Sequence, residues 1–145
     1  MVQKDCLGVN AVILDKQGKV LLARRDRPRI WNLPGGSWED GEAPWDTAIR
    51  EVREEVGIEV EVVRLTGIYD RSPHGKPVLV FLCRHVSGEA HTTPEAIELA
   101  WYFPDALPDD INPYQPQRIR DALAGKPESV LARQPGRSVR QMYDE

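Results

Sequence analysis

Three glutamates that follow one arginine carry the most informative chemistry in the chain. Glu51, Glu54 and Glu55 come directly after Arg50, and at about 100° per helical residue they would lie within a fan of roughly 100° on a helix. Like charges one helical turn apart repel each other and destabilise a helix. A divalent cation would turn this repulsion into attraction, so the spacing suggests a metal site.

The same stretch carries an apolar stripe that would fix the helix against a sheet. Pro44 suits its first turn and Gly57 suits the position just past its end, which predicts a helix of about three and a half turns. The stripe is formed by residues three or four apart along the chain, with one adjacent pair: Trp45, Ala48, Ile49, Val52 and Val56. Burial of this stripe would hold the glutamates in place.

A glycine corner precedes the helix. Leu33, Pro34, Gly35 and Gly36 form a tight approach in which the backbone can come close to a ligand. We expect the Gly35 carbonyl to point at the metal site. Glu42 lies near the start of the helix, where the helix dipole favours an acidic residue.

Together these residues resemble the complete signature of the Nudix hydrolases. The pattern has Gly36, five residues, Glu42, seven residues, and then the run REVREEVGI that ends at Ile58. No defining position departs from the family pattern. Fixed residues at fixed intervals over this length are much more specific than a lone glycine motif.

The resemblance implies a fold, an activity and a cofactor. The fold would be α/β, a Nudix-type α/β/α sandwich with a mixed β-sheet between helices, and the enzyme would need Mg²⁺ or Mn²⁺. Glu54 and Glu55 would be metal ligands, Glu51 a further ligand or the base that activates water, and the Gly35 carbonyl an added contact. Arg50 would orient the carboxylates through bidentate hydrogen bonds, while Glu42 would be structural.

Family members often draw one more carboxylate from the loop before a later strand, as a metal ligand or as the base. Glu95 and Glu98 both have a suitable position before Trp101. We favour Glu95 because Glu98 lies so close to Trp101 that it would belong to the strand.

Candidate substrate-binding residues lie just before the glycine corner. Arg24, Arg25, Arg27 and Arg29 form a basic run that is either a solvated loop or a clamp for phosphate groups. Trp31 is either a stacking platform for a nucleobase or a tryptophan at the edge of the core. Both alternatives stay open at this point.

Composition bounds the class of protein. The chain has 145 residues, a net charge of -4 and a sequence pI of about 5.4. This length predicts one domain, expected over residues 1–125 and followed by a tail of uncertain order over 126–145. The negative net charge predicts no nucleic-acid polymer as partner. No stretch is long enough to cross a membrane. Cys6 and Cys83 are interpreted as buried thiols in a reducing cytoplasm. The tail is expected to be loose, or to serve a homodimer contact through Val130, Leu131, Val139 and Met142.

Periodicity predicts the supporting elements. Strands are expected over residues 7–14, 20–24, 59–69 and 77–86, the last one buried on both faces, and a second helix is expected over about 112–124 on the opposite face of the sheet.

The substrate class is left open among several alternatives. The favoured reaction is cleavage of the pyrophosphate bond of a nucleoside diphosphate linked to another moiety, with ADP-ribose or a nucleotide sugar first. Pro73 resembles a marker of ADP-ribose-cleaving members and weakly favours ADP-ribose. The alternatives are a nucleoside triphosphate, including oxidised ones as for MutT-like members, a dinucleoside polyphosphate, and a non-catalytic module that only binds nucleotides.

Overall fold

The computed structural model describes residues 6–143 and contains one mixed sheet with helices on both of its faces. The strands are β1 (Gly8–Leu14), β2 (Val20–Arg24), β3 (Trp31–Asn32), β4 (Gly35–Ser37), β5 (Glu59–Asp70), β6 (Val78–Ser87), β7 (Glu98–Tyr102) and β8 (Val130–Arg133). The helices are α1 (Pro44–Val56), α2 (Gln115–Leu123) and α3 (Val139–Tyr143). The α/β sandwich implied by the family resemblance is confirmed.

The sheet has the order β3-β2-β1-β6-β5-β8, with β4 paired to β1 and β7 paired to β2. Strands β1 and β6 are parallel, as are β5 and β8, and the other pairs are antiparallel. Because β4 leads into α1 and pairs with β1, the glycine corner is anchored beside the centre of the sheet.

Two apolar cores lie on the two faces of the sheet, since successive side chains of a strand point to opposite faces. Ala11 and Ile13 of β1 pack with Ala48, Val52 and Val56 of α1. On the other face, Val12 packs with Ile119 and Ala122 of α2. Helix α1 is therefore held by its apolar stripe, as predicted, and its acidic edge is fixed relative to β1 and β4.

Two details of the predicted core are wrong. Trp45, placed in the apolar stripe, is 55% exposed because it lies in the first turn of α1, next to the surface loop. Strand β6 is buried at Val80, Phe81 and Cys83 but exposed from residue 84 onward, since none of its residues after Cys83 belongs to either apolar core.

The two cysteines differ in their surroundings. Cys83 is buried, as predicted, and burial raises the pKa of its thiol to about 12. Cys6 is exposed, so the prediction of a buried thiol at that position is wrong: it lies ahead of β1, where no core layer covers it.

The chain beyond residue 125 adds to the sheet. Gly125 has φ +69 just after α2, and the chain then returns as β8, which pairs in parallel with the outer edge of β5. A loose end was expected there, but residues 130–133 satisfy backbone groups that an edge strand otherwise leaves unpaired. A homodimer contact through this region stays a prediction. Within residues 6–143, no helix has the length and apolar character needed to cross a membrane.

Candidate active site

Helix α1 brings Glu51 and Glu55 to the glycine corner formed by β4. The two residues are one turn apart and lie on the same side of the fully buried Val52. Gly57 ends the helix in the left-handed conformation with φ +77. The buried stripe and this sharp end leave the two carboxylates little freedom to move relative to β4.

A third carboxylate comes from the loop before β7. Oxygen atoms of Glu51, Glu55 and Glu95 lie within 4.8 Å of one another. The loop is fastened to the end of α1, where the Thr93 hydroxyl donates to the carbonyl of Glu55 at 2.7 Å and the amide of His91 donates to the carbonyl of Val56 at 3.0 Å. These two bonds place Glu95 beside the helix edge.

Glu98 was the other carboxylate considered for this loop, and the structure places it elsewhere. It begins β7 and lies 3.6 Å from Arg24. Of the two, Glu95 is thus the one that the fold brings to the carboxylates of α1.

The glycine corner lies directly against the carboxylates. The amide of Gly35 donates to Oε2 of Glu55 at 3.3 Å. A Cβ atom added to Gly36 would overlap the carboxylate of Glu51. The corner therefore consists of glycines for a steric reason, and the expected contact of the Gly35 carbonyl with a metal stays a prediction.

The carboxylates are held in an environment that disfavours their charge. Burial, with smaller contributions from Glu51 and Glu95, raises the pKa of Glu55 to about 8 against the opposing effects of Arg25 and of the Gly35 amide. Burial also raises the pKa of Glu51. A cation among these groups would remove the repulsion, and three carboxylates supply the oxygen ligands that a hard divalent ion prefers. The donor set therefore fits a divalent metal.

Arg50 orients the acidic edge, as the family resemblance implies. Its Nε and Nη2 bind both oxygens of Glu42 at 3.0 and 2.8 Å, and its Nη1 donates to Glu51 at 3.0 Å. The hydrogen bonds from Arg50, with smaller contributions from the Thr47 hydroxyl and the Glu39 amide, lower the pKa of Glu42 to about 2. Glu42 is therefore an anchor for Arg50, and Arg50 in turn holds Glu51.

Glu54 occupies a different position from the other glutamates. Its side chain is 51% exposed and pairs with Arg50 at 3.2 Å, and it is not part of the group formed by Glu51, Glu55 and Glu95. Its predicted roles in catalysis and metal binding stay predictions.

Two adjoining cavities form the cleft. The carboxylate cavity, of about 500 Å³, is lined by the three grouped glutamates together with Glu39, Asp26 and Pro94. The amide cavity, of about 380 Å³, is lined by Asn10, Asn32, Asn112 and Gln115 among others. Both share a wall made of Arg25, Arg27, Gly35, Gly36 and Ser37, so one elongated ligand can reach both.

The basic run predicted to bind substrate is divided by the fold. Arg25 and Arg27 lie on the shared wall, and Arg25 is 3.7 Å from Glu55. Arg24 turns away to pair with Asp110 and Glu98. Arg29 is exposed and does not line either cavity. The charge pattern alone could not separate them, because a short strand and the turn after it point neighbouring side chains in different directions.

Trp31 is placed in the core. It is 6% exposed, meets the ring of Tyr102 edge-on with centroids 5.4 Å apart, and has the Arg24 guanidinium 4.6 Å from its own centroid. Trp31 is therefore a tryptophan of the core. The prediction that it serves as a stacking platform for a base is wrong.

No sequence pattern predicted the amide cavity. The Asn112 amide donates to Asn32 Oδ1 at 3.1 Å, and the side-chain oxygen of Gln115 accepts the Leu33 amide at 2.6 Å. These residues are 80 or more positions apart in pairs, so no local spacing connects them. The amide groups present both donors and acceptors, which suits the polar edge of a nucleoside.

Comparison with known proteins identifies the family. The model of the NUDIX domain matches residues 4–122. The chain is 37% identical over 119 residues to a MutT-like protein of Streptomyces ambofaciens, covering 82% of this chain and 77% of the relative. It is 29% identical over 119 residues to a putative 8-oxo-dGTP diphosphatase of Bacillus subtilis, covering 81% and 80%.

A similar solved structure is that of a UDP-X diphosphatase. It superimposes with a TM-score of 0.75 at 26% identity and covers 90% of this chain and 68% of that one. Since the family model spans most of the chain and the carboxylates of its signature helix meet in a cleft, this protein belongs to the NUDIX family and is a pyrophosphohydrolase that acts on nucleotide derivatives.

Proposed function

We propose that the enzyme cleaves the pyrophosphate bond of a nucleoside diphosphate linked to another moiety, with ADP-ribose or a nucleotide sugar as the favoured class. The observation that carries this proposal is the wall shared by the two cavities. A diphosphate at Arg25 and Arg27 would place its nucleoside in the amide cavity and its scissile bond beside the carboxylates. Two monophosphates would be the products.

Mg²⁺ or Mn²⁺ would be held by Glu51, Glu55 and Glu95, with Glu54 as a further ligand from the exposed side. When bound, the metal would lower the pKa of a water ligand and neutralise charge on the phosphate. Donation from Arg50 keeps the Glu51 carboxylate in position. Glu51 and Glu95 are the two candidates for the base that takes the proton of the attacking water.

The cations on the shared wall have a separate task. Arg25 and Arg27 are exposed and face both cavities. A guanidinium forms charge-assisted hydrogen bonds with phosphate oxygens. They would bind the diphosphate and orient its phosphorus toward the carboxylates.

A nucleoside triphosphate, including an oxidised one, is the second candidate. It is favoured by the name of one relative, the putative 8-oxo-dGTP diphosphatase of Bacillus subtilis. Pro73, which tilted the sequence toward ADP-ribose, lies in an exposed turn and lines neither cavity. It therefore does not decide between the two classes.

A substrate panel distinguishes the two candidates. We would incubate the enzyme and Mg²⁺ with ADP-ribose, UDP-glucose, the four common nucleoside triphosphates, 8-oxo-dGTP and diadenosine tetraphosphate, and quantify products by chromatography. The proposal predicts the highest kcat/KM for a diphosphate-linked substrate and release of two monophosphates. Higher kcat/KM for a triphosphate, with pyrophosphate released, would overturn the choice of class.

The metal site is tested by one substitution at its buried centre. Glu55→Gln keeps the shape of the side chain and removes the charge, and should lower kcat by at least about a hundredfold. Mn²⁺ binding, followed by electron paramagnetic resonance, should weaken in parallel. Glu61→Gln, an exposed glutamate of β5 that pairs with Arg84, is the matched control and should change neither quantity.

A further inference from the structure

The last described part of the chain reaches back to the amide cavity. We call residues 134–143 the C-terminal strap; it follows β8 and includes α3. Val139 and Arg140 of the strap line the amide cavity together with residues of β1, β3 and α2. The cavity wall is thus completed by a segment far from the signature helix.

One buried arginine fastens the strap through its backbone. Arg71 is 7% exposed and donates to the carbonyls of Gln134, of Gly136 at 3.1 Å and of Arg137 at 3.2 Å. Its guanidinium lies 3.7 Å from the ring centroid of Tyr114, whose hydroxyl donates to the Arg137 carbonyl at 2.8 Å. Because a guanidinium presents its donors in a fixed planar fork, these three contacts favour one conformation of the strap backbone.

A second buried arginine connects the strap to the cavity wall. Arg118 Nε donates to the Gln134 side-chain oxygen at 2.9 Å, and its Nη1 donates to Asn10 Oδ1 at 2.9 Å. The Gln134 amide also donates to the Tyr114 carbonyl at 2.8 Å. Asn10 itself lines the amide cavity, so strap and cavity belong to one hydrogen-bond network.

These two arginines are unusual because their charge is not matched nearby. Among residues 6–143, neither Arg71 nor Arg118 forms an ion pair with a carboxylate. Burial of a cation costs free energy unless hydrogen bonds compensate it. Here most of the compensating acceptors belong to the strap. The two buried arginines therefore stabilise the strap in its position beside the amide cavity.

We propose that the C-terminal strap is part of the substrate site, in which Arg140 is a specificity-determining residue that binds oxygen atoms of the nucleotide in the amide cavity, and Arg71 is a positioning residue that acts through the strap. The assignment of the ligand as a nucleotide derivative rests on the proposed function. Arg140 adds a guanidinium to a cavity whose wall already carries Arg25, Arg27 and Lys76 beside its amides. The cavity thus suits an anionic part of the ligand.

The first test compares two arginines of the C-terminal region. Arg140→Leu should raise KM for the leading substrate of the panel roughly tenfold, since one charge-assisted hydrogen bond is lost, while kcat stays within about twofold. Arg133→Leu is the matched control, because Arg133 is exposed on β8 and lies away from both cavities. Equal KM values for the two variants would overturn the proposal.

The second test asks whether Arg71 acts through the strap. Arg71→Met should raise KM in the same direction, and combining it with Arg140→Leu should add little, because the two residues form one unit. Arg71→Lys keeps a donor and should recover part of the affinity. Independent, multiplying effects of Arg71→Met and Arg140→Leu would contradict the positioning role, and if Arg71→Met does not fold, the surface variant Arg140→Leu decides.

A binding measurement separates this inference from the proposed function. The affinities of ADP, GDP, CDP and UDP with Mg²⁺ would be measured by calorimetry for the unsubstituted protein and for Arg140→Leu. Weaker binding to Arg140→Leu supports the strap even if none of the panel substrates is cleaved. Cleavage with unchanged binding and KM in Arg140→Leu would leave the proposed function standing and remove the strap from it.

Discussion

The two ends of the cleft are built in opposite ways. The carboxylate end comes mostly from residues 35–55, and Arg50 there is surrounded by carboxylates. The amide end is assembled from β1, β3, α2 and the strap, and its buried arginines, Arg71 and Arg118, meet carbonyls, amides and aromatic rings. The first end is a local sequence pattern, and the second is a product of the fold.

This difference has a physical origin. A metal site needs several carboxylates close together, and a helix holds residues one turn apart at a fixed distance. A cavity that must enclose part of a ligand needs walls on several sides, which one element cannot supply. The substitutions that follow are chosen to break one end while leaving the other intact.

The largest effect is expected at the amide end. Arg118→Met would leave the oxygens of Asn10 and Gln134 without their donor, and should lower the free energy of unfolding by about 3 kcal/mol. Urea denaturation measures this. Arg120→Met, an exposed arginine of α2, is the control and should stay within about 0.5 kcal/mol. A small change for Arg118→Met would mean that the network does not support the amide end.

A slightly smaller effect is expected at the carboxylate end. Gly36→Ala places a Cβ against the Glu51 carboxylate and should lower kcat about a hundredfold, or about 2.7 kcal/mol in the barrier, by displacing that side chain. Steady-state kinetics with the leading substrate measures it. Gly125→Ala, where the added atom meets open space at φ +69, should cost stability and leave kcat unchanged. Full activity in Gly36→Ala would argue against a fixed position for Glu51.

The anchor of Arg50 links stability to pH. Glu42→Gln removes the bidentate partner of Arg50 and should lower the free energy of unfolding by about 2 kcal/mol at pH 7. The pKa of Glu42 is lowered from 4.5 to about 2 in the folded protein, so its contribution is complete above pH 4.5 and is lost as the pH falls toward 2.

The difference between Glu42→Gln and the unsubstituted protein should therefore shrink between pH 6 and pH 3. Denaturation curves at both pH values measure this, and each comparison cancels the titration of the other carboxylates. A difference that stays constant with pH would show that Glu42 titrates normally and does not anchor Arg50 through its charge.

The smallest effect is expected for the paired amides. Asn32→Ala should raise KM about fivefold to tenfold and leave kcat unchanged, because one neutral hydrogen bond to the ligand and the fixed position of Asn112 are lost. Asn112→Ala should have a similar effect, and the double substitution should be less than additive. Additive effects would indicate that the two amides contact the ligand separately.

Much of the fold and of the carboxylate end could be predicted from the sequence. The bounds of α1 followed from Pro44, the apolar spacing and Gly57, and strand β2 was predicted at its observed residues. Helical geometry predicted that Glu51, Glu54 and Glu55 share one side of α1. The fold brings Glu51 and Glu55 together, while Glu54 stays half exposed. Glu95 was favoured over Glu98 by its distance from Trp101, and the fold brings Glu95 to that edge.

Other features depended on contacts between distant segments. The basic run looked uniform, yet Arg24 pairs with Asp110 while Arg25 faces the cleft. The sequence left two roles open for Trp31, and its contact with Tyr102 of β7 places it in the core. The end of the chain had no strong periodicity, and only the open edge of β5 shows why residues 130–133 form a strand.

The amino-acid sequence by itself determined the helix, its buried stripe, its acidic edge and hence the family, because all of these follow from spacing within one turn or a few turns of chain. The tertiary structure decided which arginines face the cleft, that Glu95 joins Glu51 and Glu55, and that Asn10, Asn32, Gln115 and the C-terminal strap enclose a second cavity. Those outcomes depend on sheet order and on side chains tens of residues apart, whose meeting is set by the packing of the whole domain.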